Sequence, residues 1–261
     1  MKITISSSSR LLRRSFTMGR KFVAFAGLFG CVAMPVQAGV WSEAPLVASP
    51  AAAADLSSGI STTKIYTHAV DWGSDDGGAV INGVTLVAAQ RTAGDGVLAD
   101  LVGSNFTLSG TTHTFQNNPA NNYDPASGMF DMNDDFLFSG GAGVSPFQTL
   151  TLTGLTGGVE YIMSSYVSNG WNGGIEILSA DDPGFTSITT DRGDAAGPKV
   201  IRYRYMLDPG DTDIVFTFDA ADDANGFHQY GFTNERLIPE PAALGLLAVG
   251  TFGLLARRRR S

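Results

Sequence analysis

The side chains best suited to chemistry in this sequence are carboxylates grouped in short polar runs. They are Asp131-Met132-Asn133-Asp134-Asp135, Asp219 to Asp223, and Asp75-Asp76. Oxygen donors at alternate positions suit Ca²⁺, which takes six to eight of them. The expected ligand sets are Asp131, Asn133 and Asp135, or Asp222 and Asp223, holding Ca²⁺ between strands. The alternative is that each run is a solvated acidic turn. An EF-hand is excluded, because Phe136 stands where its loop needs glycine and Ala142 where it needs a bidentate glutamate.

A second candidate surface is aromatic. Trp171 lies in Ser168-Asn169-Gly170-Trp171-Asn172-Gly173-Gly174, a run too polar for a core, and Tyr123 lies in the Asn-rich stretch 117–124. An indole offers an apolar face to a sugar ring, while amide side chains hydrogen-bond its hydroxyls. Trp171, Asn169, Asn172 and Tyr123 are therefore the expected glycan-binding residues. The competing reading has Trp171 capping one end of the fold. Trp72, at the end of an apolar run, reads as core.

No converging catalytic set is visible. His68, His113 and His228 are far apart and none falls in a metal-binding spacing; they read as strand residues satisfied by their neighbours. There is no Gly-x-Ser-x-Gly elbow and no phosphate-binding loop. A glycosidase carboxylate pair is defined in space rather than in sequence, so the acids leave a polysaccharide hydrolase as the alternative to a non-catalytic protein.

These residues must be positioned by short strands. The segments 64–72, 79–89, 148–155, 159–168, 199–207, 213–218 and 227–233 are β-like, with Asn82-Gly83 as a turn. In Ile201-Arg202-Tyr203-Arg204-Tyr205, apolar and aromatic side chains alternate with arginines, which places them on opposite faces of one strand. The expected fold is all-β: an antiparallel, jelly-roll-like β-sandwich over 59–238, with helices confined to the termini. Residues 39–58, rich in alanine, proline and serine, read as a flexible leader.

Residues 1–38 carry a basic stretch, an apolar run from Phe22 to Met34 and the small-residue site Val36-Gln37-Ala38, the layout of a secretory signal peptide. Either Met1 or Met18 could begin it. Arg13-Arg14-Ser15-Phe16 resembles part of a twin-arginine signal, so export runs through the Sec or the Tat translocon. The one cysteine, Cys31, lies in this segment, which leaves the body without thiol or disulfide chemistry. Between residues 39 and 238 there are seven basic and 24 acidic residues, a net charge of −17. Such a surface repels nucleic acid, and a DNA or RNA role is rejected.

At the other end, Pro239-Glu240-Pro241 precedes an apolar run from Ala242 to Ala256 and the cluster Arg257, Arg258, Arg259, Arg260. The prolines forbid helix before Ala242. Fifteen helical residues reach about 22 Å, short of the roughly 30 Å bilayer core, so they span only with snorkelling or thinning. The arginines would hold the far end in the cytoplasm. Together with Gly245, Gly250 and Gly253, these features resemble the PEP-CTERM sorting signal. That resemblance implies recognition by exosortase, a transpeptidase of the inner membrane, in a Gram-negative bacterium that makes exopolysaccharide. It also implies transient anchoring and then release or attachment at the cell surface.

More loosely, the body resembles the β-sandwich domains found ahead of such signals, which look like galactose-binding or carbohydrate-binding modules. The segments concerned are Ile60-Ser61 with Asn82-Gly83-Val84, Leu152 to Gly158 leading to Tyr161, and Phe227 to Phe232. The combined expectation is an exported, non-catalytic protein that associates with exopolysaccharide or matrix by binding glycan. A purely structural surface role is a further alternative.

Overall fold

The computed structural model describes residues 39–73, 77–89, 101–110, 114–118, 121–139, 147–167, 174–182, 184, 186–191, 197–221 and 227–238. In chain order the strands are β1 (Val40–Pro45), β2 (Ile65–Trp72), β3 (Val80–Ile81), β4 (Val84–Thr85), β5 (Val87–Ala89), β6 (Leu101–Gly103), β7 (Phe106–Gly110), β8 (Thr114–Asn117) and β9 (Asp135–Ser139). They continue as β10 (Phe147–Leu152), β11 (Glu160–Val167), β12 (Ile175–Ala180), β13 (Ser187–Asp191), β14 (Lys199–Met206), β15 (Ile214–Ala220), β16 (Phe227–Gln229) and β17 (Gly231–Arg236). Two short helices are α1 (Ala51–Ser58) and α2 (Gly128–Asp134). Among the described residues no helix is long and apolar enough to cross a membrane.

Two six-stranded sheets face each other. One has the order β1-β14-β11-β17-β2-β5 and the other β13-β12-β15-β10-β7-β6. All pairings are antiparallel except β2 with β5. A small sheet, β16-β9-β8, and the hairpin β3-β4 complete the β-structure of the described residues. The all-β sandwich expected from the strand-and-turn pattern is what forms.

Alternation decides which side chains enter the core. Along β14, Ile201, Tyr203 and Tyr205 are buried, while Arg202 is half-buried and Arg204 exposed. Leu150 and Leu152 of β10 and Ile214, Phe216 and Phe218 of β15 meet them from the facing sheet. Aromatic rings fill the interior: Tyr161 stacks on Tyr205 at 5.5 Å between centroids, and Phe216 presents its edge to Tyr203 at 5.8 Å. Such offset and edge geometries suit the ring quadrupoles.

A second core lies on the outer face of the first sheet. Tyr166 and Val200 meet Ala54 of α1, Ile81 of β3, and Met129 and Met132 of α2 there. The second half of β11 is therefore covered on both faces, which explains its change from alternating to continuous burial. The turn between β3 and β4 has positive φ at both Asn82 (49°) and Gly83 (79°), the mirror-image hairpin turn that Asn-Gly favours.

Two expectations are corrected. Helices are not confined to the termini, since α1 and α2 belong to the body. Residues 39–58 are also part of the fold rather than a leader. All six residues of β1 pair with β14, from Val40 opposite Arg204 to Pro45 opposite Lys199, and Trp41 lies 4.4 Å from Tyr203 between centroids. The alanine run forms α1 because alanine has the best helix propensity, and Gly59 closes it in the left-handed conformation (φ 75°), donating to the Leu56 carbonyl. In α2 the Ser127 side chain caps the first turn by accepting from the Phe130 N–H. Gly128 opens that helix because a Cβ there would stand 2.1 Å from the Val80 carbonyl oxygen.

Candidate functional site

The strand registers define two ends of the sandwich. At one end Val167 lies opposite Lys199, Gly231 opposite Asp71, Glu176 opposite Ala220, Gln148 opposite Gly110, and Phe227 opposite Ser139. Connections 111–113, 140–146, 168–174 and 221–226 all leave from this end. At the other end Tyr161 lies opposite Arg236, Ile65 opposite Arg236, and Leu152 opposite Ile214. The chain passes there from β17 to Leu237 and Ile238. The eight residues of β11 separate the two ends by about 26 Å at the usual strand rise.

The loop of Asn169, Trp171 and Asn172 lies outside the described residues, as do Asp222 and Asp223, His113 and Asp75-Asp76. Their described anchors, Val167 with Ile175 and Ala220 with Phe227, stand at the end far from Ile238. Phe147 and Ile175 at this end are exposed large apolar residues. Beneath them lies a buried polar floor that sequence reasoning missed. Gln229 Nε2 donates to Gln148 Oε1 at 2.7 Å, the His228 backbone N–H donates to Glu176 Oε1 at 2.8 Å, and the His228 ring packs 4.5 Å from Phe136. No local motif marks these residues, because their meeting depends on pairing across distant strands.

Two site expectations change. Tyr123 is only 3% exposed and belongs to the second core, so it offers no ring to a sugar. Burial, reinforced by Tyr230 and Tyr166, raises its phenol pKa well above the ordinary value. The run Asp131, Asn133, Asp135 is not an alternating strand or loop. Asp131 and Asn133 sit on α2, where two residues are about 200° apart around the axis. Asp131 faces solvent, whereas Asn133 is buried and donates from Nδ2 to the Met129 carbonyl at 3.2 Å. Asp135 begins β9. The three therefore do not converge, and no group of three metal-capable side chains does so among the described residues.

The near end holds a cleft of about 410 Å³ lined by Asp181, Asp182, Asp208, Asp211 and Asp213 together with Tyr205. Two of these acids serve the backbone and core. Asp181 Oδ1 accepts from the Val215 N–H at 2.8 Å, and Asp182 accepts from the Gly39 N–H at 2.8 Å and from the Tyr203 hydroxyl.

The described histidines serve structure. His68 Nε2 donates to the Asn105 carbonyl at 2.8 Å, which fixes the proton on that nitrogen, and Nδ1 meets Thr67 Oγ1 at 3.0 Å. Burial lowers the His68 pKa, and the Asn105 carbonyl offsets part of this. A depressed folded-state pKa means that the unfolded chain binds the proton first. His68 therefore contributes stability that is full above about pH 6.5, the ordinary histidine value, and is lost as pH falls through its lower folded-state value. His68→Gln is expected to flatten the fall in thermal midpoint between about pH 7 and pH 5. An unchanged slope would assign the acid sensitivity elsewhere.

Comparison with known proteins adds the following. A family profile described as the PEP-CTERM protein-sorting motif matches residues 237–260. The chain carries a PEP-CTERM sorting motif. Such a motif implies exosortase recognition, export and surface sorting. Pro239, Glu240, Pro241 and Arg257 to Arg260 all fall within the match, though outside the described residues. No curated protein matches the chain.

Among solved structures, the enzymatically active domain of bacteriophage CBA120 tailspike protein 4 is 17% identical, with a TM-score of 0.36 over 51% of this chain and 20% of that one. The CBM22-1–GH10 modules of Clostridium thermocellum xylanase 10B, complexed with xylohexaose, are 18% identical, with a TM-score of 0.34 over 51% of this chain and 26% of that one. TmCBM61, in complex with β-1,4-galactotriose, is 18% identical, with a TM-score of 0.34 over 51% of this chain and 90% of that one. Likeness at this level assigns neither ligand nor chemistry to the present chain.

Proposed function

We propose that this is a non-catalytic surface protein that associates with exopolysaccharide or extracellular matrix, binding glycan at the end of the sandwich far from its PEP-CTERM motif. What supports the reading is the shared position of the strand ends anchoring the 168–173 and 222–226 segments, opposite the exit at Ile238. A protein held by its tail presents the opposite end outward. The residues between Val167 and Ile175 supply an indole and two asparagine amides, groups that match the apolar face and the hydroxyls of a sugar. Export through Sec or Tat and transient anchoring in the inner membrane belong to the same reading.

The test is retention of the full chain on exopolysaccharide from a PEP-CTERM-bearing Gram-negative bacterium, with Trp171→Ala beside wild type. The variant is expected to lose tenfold or more in retention, about 1.4 kcal/mol or more, as for loss of an aromatic anchor. Equal retention of the two would remove the platform, and release of reducing ends by wild type would replace it with a hydrolase.

A further inference from the structure

Next to the point where the chain leaves the sandwich is a groove of about 900 Å³ with walls formed by Ile65, Val159, Met206 and Ile238. Ile65 is 48% exposed and Ile238 63% exposed, an apolar surface with nothing over it among the described residues. The Leu237 N–H donates to the Glu160 carbonyl at 2.8 Å, which fixes the direction in which the chain departs. Ile238 is itself part of the wall, and Pro239 is the next residue in the chain.

The charges here are uneven. Arg204 Nε is paired with Glu160 at 2.5 Å and Lys64 with Glu235 at 2.7 Å. Arg236, which also lines the groove, is exposed and enters no ion pair among the described residues. In a body with 24 acids to seven bases, an unpaired arginine beside an apolar groove is an opening for a specific anion. The tail has one acid, Glu240, two residues beyond Ile238. At about 3.3 Å per residue its carboxylate stays within reach of Arg236. A following proline disfavours helical backbone at position 240, and neither proline has an N–H to satisfy, so the tripeptide can lie against apolar side chains without a strand partner. Preformed proline-rich segments dock in apolar grooves in this way.

We propose that this groove seats the chain's own Pro239-Glu240-Pro241, with the prolines on Ile65, Val159 and Met206 and the Glu240 carboxylate on the Arg236 guanidinium. The folded body then governs how far the motif is exposed to its processing enzyme. Only a folded sandwich has the groove, so folding and presentation of the motif are linked. The inference rests on the sorting motif and is independent of glycan binding.

The test is a charge exchange in the full chain purified in detergent, with Arg236→Glu, Glu240→Arg and both together, read as the rate of proteinase K cleavage in the apolar run just after Pro241. Each single change is expected to speed cleavage about threefold or more, and the double exchange to restore protection. Equal rates in all four proteins, or a double variant as exposed as the singles, would overturn the proposal. A second reading uses Val159→Cys with Pro241→Cys in a Cys31→Ser background. Mild oxidation is expected to give an intramolecular disulfide in monomeric protein. No disulfide, or only disulfide-linked dimers from a second copy in the groove, would overturn it equally. Thermal midpoints within a few degrees of wild type confirm that each variant is folded.

Discussion

Trp72→Ala is expected to cost the sandwich about 3–5 kcal/mol, as a shift to lower denaturant with the slope unchanged. Trp72 ends β2 and is fully buried. Its ring lies 5.3 Å from Phe232 and meets Phe106 edge-on at 5.7 Å. It thus joins the two sheets, since Phe232 belongs to one and Phe106 to the other. Truncation leaves a cavity between layers that neither backbone can close, because both strands lie inside their ladders. Trp72→Phe is expected to cost much less. The indole Nε1–H finds no acceptor among the described residues, and a phenyl ring keeps most of the packing without that unsatisfied donor. If the alanine and phenylalanine variants were equally destabilised, ring packing would not be the source.

The second large effect concerns a buried charge. The Lys199 side chain is 2% exposed, and its ammonium group reaches Glu43 at 3.1 Å and the Asp191 carbonyl at 3.0 Å. Glu43 is 33% exposed and also accepts from the Thr190 hydroxyl at 2.8 Å. Removing one partner of a pair of buried charges costs about 3–5 kcal/mol. Because water reaches Glu43, the lower end of that range is expected for Glu43→Ala. Adding Lys199→Met should recover much of the loss, since no charge is then stranded. Double-mutant denaturation measures this directly, and strictly additive losses would contradict it. The pair also ties β1 to β14 and to the far sheet, so Glu43→Ala should selectively raise hydrogen exchange in residues 40–45.

The main strands were legible wherever one face alone is buried. Ile201, Tyr203 and Tyr205 against Arg202 and Arg204 gave β14 its orientation from alternation alone. β1 was not, because Val40-Trp41-Ser42-Glu43-Ala44-Pro45 holds a charge and a proline, and only its pairing with β14 makes it a strand. The helix at 128–134 was hidden by its acids, which suggested a turn. Its cap, Ser127, and the close approach of Gly128 to Val80 were the signals available. Alternation in sequence suggested that Asp131 and Asn133 share a face, and the helical period separates them. The groove at the tail exit could not have been read locally, since Ile65, Val159, Met206 and Ile238 come from four separate stretches of chain.

The position of β17 bears on how the molecule carries load. It lies between β11 and β2 and pairs antiparallel with both, and the chain leaves it through Leu237 and Ile238. Tension applied through the tail therefore pulls lengthwise on a strand whose ladder hydrogen bonds run across the force. Both rows must break together in shear, instead of opening one at a time as they would on a peeled edge strand such as β1. A pull on the tail thus meets the part of the sheet that best resists being drawn out.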